Sequence, residues 1–436
     1  MRDTKTPDGV IGTIGGTAVG APTQRVYVGG LAVEALAPPA TDWPRAPEAV
    51  IRGPMRVHTF VSPDCSFKAM RELLGRAAHS LLIYIYNVSS EDMLRLVREA
   101  KGRGVSVRIM YDRTDTSADE VAKLQALGVQ LKVAPSFAPR RAFTVCHQKY
   151  VVVDAETVIL GSANWATTSI PNPGNARWKK GNREWFIAME SRDAAKRFTD
   201  LFELDWKWQP AGPHFAEAAV AAVPVDVFTG FAEEIPPPDE ILSAARFDLG
   251  ASATVVPLLS PQNYFREVKK AIDAAEESVW IEQQYIKAPV GSANVGALLA
   301  SLKAKKSKID IRIVGSAKFP SGWDDTLATL DRFGLRGKLK SIDLREFTHC
   351  HNKGLIIDAK TVVVSSTNWS DNSISAAREV GVLITNAHIA RYFAKAFDYD
   401  WRTGLRPSEV EVVLSELAGE MATAEVGDEV HPADLV

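Results

Sequence analysis

Between residues 64 and 77 apolar side chains recur at Phe67, Met70, Leu74 and Ala77, three or four apart with polar residues between them, which predicts a helix with one buried face. The period then changes. "SLLIYIY" from Ser80 is a nearly continuous apolar and aromatic run, the pattern of a core strand. Ser89 with Asp92 is a candidate cap for the next helix, which should stop at Gly102 to Gly104. Strands alternating with helices of this length predict a sheet covered by helices on both faces, an α/β fold.

The pattern occurs twice. "SPDCSFKAMRELLGRAAHSLLIYIY" begins at Ser62 and "SPQNYFREVKKAIDAAEESVWIEQQ" at Ser260, with Phe67/Phe265, Ala77/Ala275, Ser80/Ser278 and Ile83/Ile281 matching without a gap. "VSVRIMYD" from Val105 corresponds to "IDIRIVGS" from Ile309, and each copy closes on an amphipathic helix ending in Asp205-Trp206 or Asp400-Trp401. The expected division is a poorly ordered Gly/Pro/Ala-rich arm over 1–55, repeats over 56–208 and 246–404, a Pro-rich connector over 209–245, and a solvated acidic tail over 405–436.

The 436 residues are too many for one ordinary core, and 46% apolar with 24% charged residues describes a folded chain of two halves. A net charge of −2 gives no general attraction to nucleic acid or anionic lipid. Cys65, Cys146 and Cys350 are too few and too scattered for a disulfide framework and read as small buried residues. Asp3 and Asp8 sit where a secretory leader needs cations, so the expected location is the cytoplasm, with any membrane contact peripheral.

Candidate chemistry lies in "HQKYVVVD" at His147 to Asp154 and "HNKGLIID" at His351 to Asp358, 204 residues apart. Both stretches are expected to be strands, on which side chains two apart share a face at ~6.6 Å. His147 with Lys149, and His351 with Lys353, would then face one tetrahedral anion, imidazole for proton transfer or attack and ammonium for a non-bridging oxygen. Asp154 and Asp358 fall in the following turns and are assigned, within each catalytic constellation, to holding the loop or the lysine end rather than to attack. After the same interval come Gly161-Ser162-Ala163-Asn164 and Ser365-Ser366-Thr367-Asn368, in which Ser162, Asn164, Ser366 and Asn368 are expected to anchor a phosphoryl oxygen. A single such five-residue match has chance odds on the order of one in ten thousand, and here there are two.

His-x-Lys-x4-Asp-x6-Gly/Ser-Ser-x-Asn, present twice, resembles the paired "HKD" motifs of the phospholipase D superfamily, over roughly Ser62 to Trp401. The resemblance implies two α/β halves related by a pseudo-twofold axis, with both motifs meeting at one metal-independent site that needs no cofactor. It implies that one histidine attacks phosphorus, that the other serves as general acid and base, and that both lysines neutralise the phosphate. An acidic residue shortly after each motif is also implied; the matching positions are Glu184 and Glu379, with the pairing of glutamate to histidine left open. Two departures stand out. Ser365 replaces the usual Gly, and 19 residues separate Asn164 from Glu184 against ten between Asn368 and Glu379. The longer insert carries Arg177, Trp178, Lys179, Lys180 and Arg183 and is expected to overhang the site.

The favoured function is phospholipase D-type hydrolysis or transfer of a phosphatidyl group, with His147 as nucleophile and His351 as general acid and base. A phospholipid is the expected phosphodiester partner and a nucleic-acid strand the alternative; a non-catalytic binding protein is the third reading. Plainer readings attach to several residues. "HCH" at His349 to His351 invites zinc, but alternation turns Cys146 and Cys350 away from the motif histidines. Trp165 and Trp369 are expected to plug the two half-cores, His349 to line the pocket, and Tyr84 and Tyr86 to have no role beyond the core.

Overall fold

The computed structural model describes residues 26–28, 31–33, 43–114, 116–136, 141–174, 180–208 and 242–423. A short antiparallel hairpin, β1 (Val26–Val28) with β2 (Leu31–Val33), lies in a unit of its own, Met1–Pro38. Its arms flank Gly29-Gly30 in the sequence, a turn signal hidden by the Gly/Pro/Ala composition expected of an arm.

Both repeats fall in one unit, Pro39–Val436. β3 (Ile51–Arg52) and β4 (Met55–Ser62) lead into α1 (Ser66–Gly75), β5 (Ser80–Ile85), α2 (Glu91–Gly102), β6 (Ser106–Tyr111), α3 (Ala118–Ala126), β7 (Gln130–Val133), β8 (Lys149–Val153), β9 (Thr157–Gly161), β10 (Asn182–Glu190) and α4 (Arg192–Lys207). The second repeat runs through β11 (Ala245–Leu249), β12 (Thr254–Ser260), α5 (Tyr264–Ala274), β13 (Ser278–Gln283), α6 (Asn294–Lys305), β14 (Asp310–Gly315), α7 (Pro320–Arg332) and β15 (Leu339–Ser341). It continues through β16 (His349–Cys350), β17 (Lys353–Ile357), β18 (Thr361–Ser365), α8 (Asp371–Ser375), β19 (Glu379–Thr385) and α9 (Ala387–Thr403), and closes on α10 (Pro407–Thr423). Two mixed sheets result, as the α/β reading requires: β11-β4-β10-β9-β8-β5-β6-β7 and β15-β14-β13-β17-β18-β19-β12-β3.

The outermost strands are exchanged. β11, which opens the second repeat, pairs with β4 of the first sheet, while β3, ahead of the first repeat, pairs with β12 of the second. This shifts the expected division: residues 51–52, assigned to the arm, form an edge strand of the second sheet, and residues 245–249, the last of the connector and the first four of the second repeat, form an edge strand of the first sheet. Phe67, Met70, Leu74 and Ala77 bury the predicted face of α1 together with Leu81 and Ile83 and with α2 and α3. On the sheet's other face Val57, Tyr84 and Tyr150 meet Phe198 and Phe202 of α4 in an interior that is continuous with the second half. α2 is capped by Ser90, whose hydroxyl accepts from Met93 N at 3.3 Å, one residue beyond the expected Ser89. The stretch read as a tail is helical through Thr423, with Val410 and Val413 buried; its acid content masked two core-facing valines.

The glycine missing at Ser365 has moved across the ladder. Gly161 stands opposite Phe186, and a Cβ on Gly161 would lie 2.6 Å from Trp185 O and 2.7 Å from the Phe186 ring. Ser365 stands opposite Gly381, where a Cβ would lie 2.7 Å from Ser365 Cβ and 2.8 Å from Val364 O. Each pair has room for one side chain. Gly381→Ala is therefore expected to destabilise the protein by about 1–3 kcal/mol, and adding Ser365→Gly should recover part of the loss in urea melts. An identical loss with and without Ser365→Gly would show that this cross-strand contact is not the cause.

Candidate active site

The motif histidines lie just ahead of β8 and β17 rather than inside them, because their backbone turns to the opposite half. Cys146 bridges in parallel to Arg378, and His147 N donates to Arg378 O at 2.9 Å. In the same way β16 pairs with β10, and His351 N donates to Arg183 O at 3.2 Å. Each motif is seated on the backbone of the other half's Arg-Glu pair, at the head of β10 or just ahead of β19.

Side chains repeat the crossing. Arg183 reaches Asp400 with Nε at 2.7 Å and Nη2 at 2.9 Å, and Asp64 with Nη1 at 2.6 Å; Arg378 reaches Asp205 with Nε at 3.1 Å and Nη2 at 2.8 Å. All four partners in the two Arg–Asp pairs are fully buried. One residue on, Glu184 Oε1 lies 2.7 Å from His351 Nδ1, while the Glu379 carboxyl oxygens lie 3.0 and 3.1 Å from His147 Nδ1. The open question of pairing is thereby resolved: each histidine takes its carboxylate from the other repeat. The terminal Asp-Trp pairs, noted only as markers of the repeat, supply the aspartates.

The two histidine–glutamate pairs are not electrically equal. His147 Nδ1 also lies 3.1 Å from the Ser366 carbonyl oxygen, which only accepts, so Nδ1 bears the proton and Nε2 keeps its lone pair. Burial and the positive charges of Lys149, Lys353 and His351 hold this imidazole well below the ordinary histidine range. Burial pushes the Glu379 carboxyl up to about 8, with Lys149 and the Ser366 hydroxyl opposing. Around Glu184 burial is outweighed by His351 and Lys353, and its carboxyl is lowered. His351 is pulled down by burial but supported by ionised Glu184, so of the two it is the better placed to carry a proton.

Both lysines are buried beside the histidines. Lys149 Nζ donates to His147 O at 2.9 Å and sits 4.9 Å above the Tyr86 ring, whose edge meets His147 with centroids 4.6 Å apart. Tyr86 thus lines the site, contrary to its expected core role: it follows the last residue of β5 and so leaves the sheet. Its counterpart Gln284 accepts from Lys353 Nζ at 3.3 Å. Asp154 and Asp358 are not brought to the histidines. The Asp154 carboxylate accepts from the backbone N–H of Ala78, His79 and Ser80 at 2.7–2.8 Å, and Asp358 from Glu276, Glu277 and Ser278. Both start turns whose two residues have positive φ, 53° and 54° at Asp154-Ala155 and 54° and 48° at Asp358-Ala359. Holding a strained turn is their structural work, as the turn position suggested, and their place in a catalytic set is not supported.

Ser162 and Ser366 are directed at the glutamates rather than outward, donating to Glu184 Oε2 at 2.5 Å and Glu379 Oε2 at 2.6 Å. The amide oxygens of Asn164 and Asn368 are buried without a hydrogen-bond partner among the described residues. Trp165 and Trp369 are buried core residues, as the packing reading had it. Of the insert, Arg177, Trp178 and Lys179 lie outside the described residues, Lys180 donates to Leu344 O at 2.8 Å, and Arg183 is the interface anchor rather than an overhanging cation. Cys146 and Cys350 are fully buried in the core, and among the described residues no group of His, Cys, Asp and Glu is placed to hold a metal.

A family model described as "Cardiolipin synthase, PLD-like domain" matches residues 70–206 and 268–401, more than half of the chain and one match per repeat. Cardiolipin synthase A of Pseudomonas fluorescens (strain SBW25) is 25% identical over 354 residues, covering 77% of this chain and 66% of that protein. The mitochondrial cardiolipin hydrolase of Xenopus tropicalis is 28% identical over 155 residues, covering 35% of this chain and 67% of that protein. The chain thus spans about two thirds of the length of these relatives. Among solved structures, phosphatidylserine synthase of Haemophilus influenzae Rd KW20 superposes with a TM-score of 0.54 at 14% identity, over 85% of this chain and 95% of that one, a likeness of fold.

The shift at Glu379 has a measurable sign. Its carboxyl ionises near 4.5 when exposed and near 8 in the fold, so the folded protein keeps a proton that the unfolded chain loses. Stability tied to that proton is full below about 4.5 and drains away as pH rises toward about 8. Glu379→Gln, which has no proton to lose, should gain stability relative to the natural protein between about pH 5 and pH 8. Urea midpoints report the gap, and a constant gap would mean that Glu379 is already ionised at the acid end.

Proposed function

The chain belongs to the phospholipase D superfamily, in the family described as "Cardiolipin synthase, PLD-like domain", and on that premise we propose that it moves the phosphatidyl group of a phospholipid to an alcohol or to water through a phosphohistidine. His147 Nε2 attacks phosphorus, the bond from phosphorus to the departing alcohol breaks, and His351 gives that oxygen its proton. In the second half-reaction His351 removes a proton from the incoming alcohol or water, whose oxygen attacks phosphorus as the bond to His147 Nε2 breaks. Lys149 and Lys353 offset the phosphate charge throughout. Glu184 and Glu379 orient the two rings.

The observation that carries this division of labour is the inequality of the two pairs. A nucleophile must be neutral with a free lone pair, which describes His147 under the Ser366 carbonyl; a general acid must hold a proton, which the ionised Glu184 favours on His351. The names of the matched relatives, a cardiolipin synthase and a cardiolipin hydrolase, support a phospholipid over a nucleic acid and leave alcohol and water as acceptors to be told apart. Among the described residues no helix is long and apolar enough to cross a membrane.

A substrate with a leaving group that needs no proton separates the histidines. With a p-nitrophenyl phosphodiester, His351→Ala should release a burst of nitrophenolate and accumulate an acid-labile phosphoryl adduct on His147, while His147→Ala gives neither. On a natural phospholipid both variants should lose about 10²-fold or more in turnover. Adduct recovered on His351 of the natural protein would reverse the assignment, and two fully active single variants would end it.

A further inference from the structure

The halves differ most on the His351 side. In the first repeat Val145 stands two residues before the motif histidine; in the second that position is His349. Its ring lies 5.9 Å from that of His351, centroid to centroid, and its Nδ1 is 2.6 Å from Ser316 Oγ. Phe319 closes on it edge-to-face at 5.0 Å. The other ring nitrogen, Nε2, is shut off from solvent and has no hydrogen-bond partner among the described residues, in a side chain only 2% exposed. A buried polar atom left in that state costs stability, so its retention beside a reacting group needs a reason. Ser316 occupies the place of Asp112, whose carboxylate in the first half accepts from Cys146 N at 2.6 Å and from Ser136 Oγ at 2.6 Å. The second half has thus exchanged an internally satisfied aspartate for a serine–histidine pair with one open end.

Resting on the phosphatidyl-transfer reading above, we propose that His349 is a specificity-determining residue whose Nε2 hydrogen-bonds a second hydroxyl of the alcohol whose ester oxygen His351 protonates, and so selects neutral alcohols with more than one hydroxyl. A hydrogen bond spans about 2.8 Å, so two rings at this separation can divide between them an ester oxygen and a hydroxyl on a nearby carbon. A hydroxyl is the group that suits Nε2 whichever tautomer Ser316 imposes, because it both donates and accepts. Burial, with the positive charges of His351, Lys318 and Lys353 beside it, holds His349 well below the ordinary histidine range and so uncharged, and those same cations oppose an ammonium head group next to them.

The test compares two anionic lipids whose head groups have the same three carbons and differ only in free hydroxyls, phosphatidylglycerol and phosphatidylpropanol, in vesicles of matched composition. The natural protein should show the higher kcat/KM on phosphatidylglycerol, and His349→Val, which copies Val145, should cut the ratio of the two by about tenfold. His349→Gln, which keeps a hydrogen-bonding group, should recover part of the ratio. Equal losses on both lipids would reduce His349 to packing and overturn the inference while phosphatidyl transfer stands. No turnover of either lipid by the natural protein would remove the transfer reading, and this inference with it.

Discussion

Arg183 and Arg378 are guanidinium groups with no solvent contact, each met in two-pronged fashion by an aspartate from the opposite repeat. Such buried pairs are poor sources of net stability, since stripping water from both charges cancels much of their attraction, yet breaking one is costly. Their worth here is positional. The residue after each arginine is the glutamate that grips the other half's histidine, and the arginine's own carbonyl receives that histidine's backbone N–H. A shift of either half would displace the arginine, the glutamate and the imidazole together. The same crossing fixes where both lysines sit, because each donates to the carbonyl of its own motif histidine.

Symmetry of the frame coexists with asymmetry of the contents. Tyr86 faces Lys149 where Gln284 faces Lys353, Val145 answers to His349, Asp112 to Ser316, and the glycine of one ladder pair has changed strands. None of these exchanges replaces a member of the Arg–Asp pairs, which are kept in both halves. The outcome is two imidazoles that feel each other's surroundings, both held below the ordinary histidine range but His147 further than His351, which has the ionised Glu184 beside it.

Much of this was legible in the chain. The repeat, the α/β class and the two constellations follow from spacing, and spacing also placed Asp154 and Asp358 in turns. Spacing reports neighbours along the chain, however, and says nothing of which glutamate crosses to which histidine. A signal was present in α4 and α9: Phe198, Leu201 and Phe202 are followed at helical spacing by Asp205, and Phe393, Ala396 and Phe397 by Asp400, an acid on a core-facing stripe in both repeats. Such an acid needs a buried cation, and Arg183 and Arg378 recur in matching positions. Tyr86 escaped notice because the strand ends one residue before it, and β3 and β11 because each pairs outside its own repeat.

That last feature bears on how the molecule comes to be made. Among the described residues the outer edge of β4 is covered by residues 245–249, and β3 finds its partner at residues 254–255. During synthesis the first sheet therefore leaves the ribosome with one flank of unpaired amides and carbonyls, open to any passing strand, until the chain has grown well past α4. Neither repeat supplies every strand of its own sheet, so the second must be made before the first is complete.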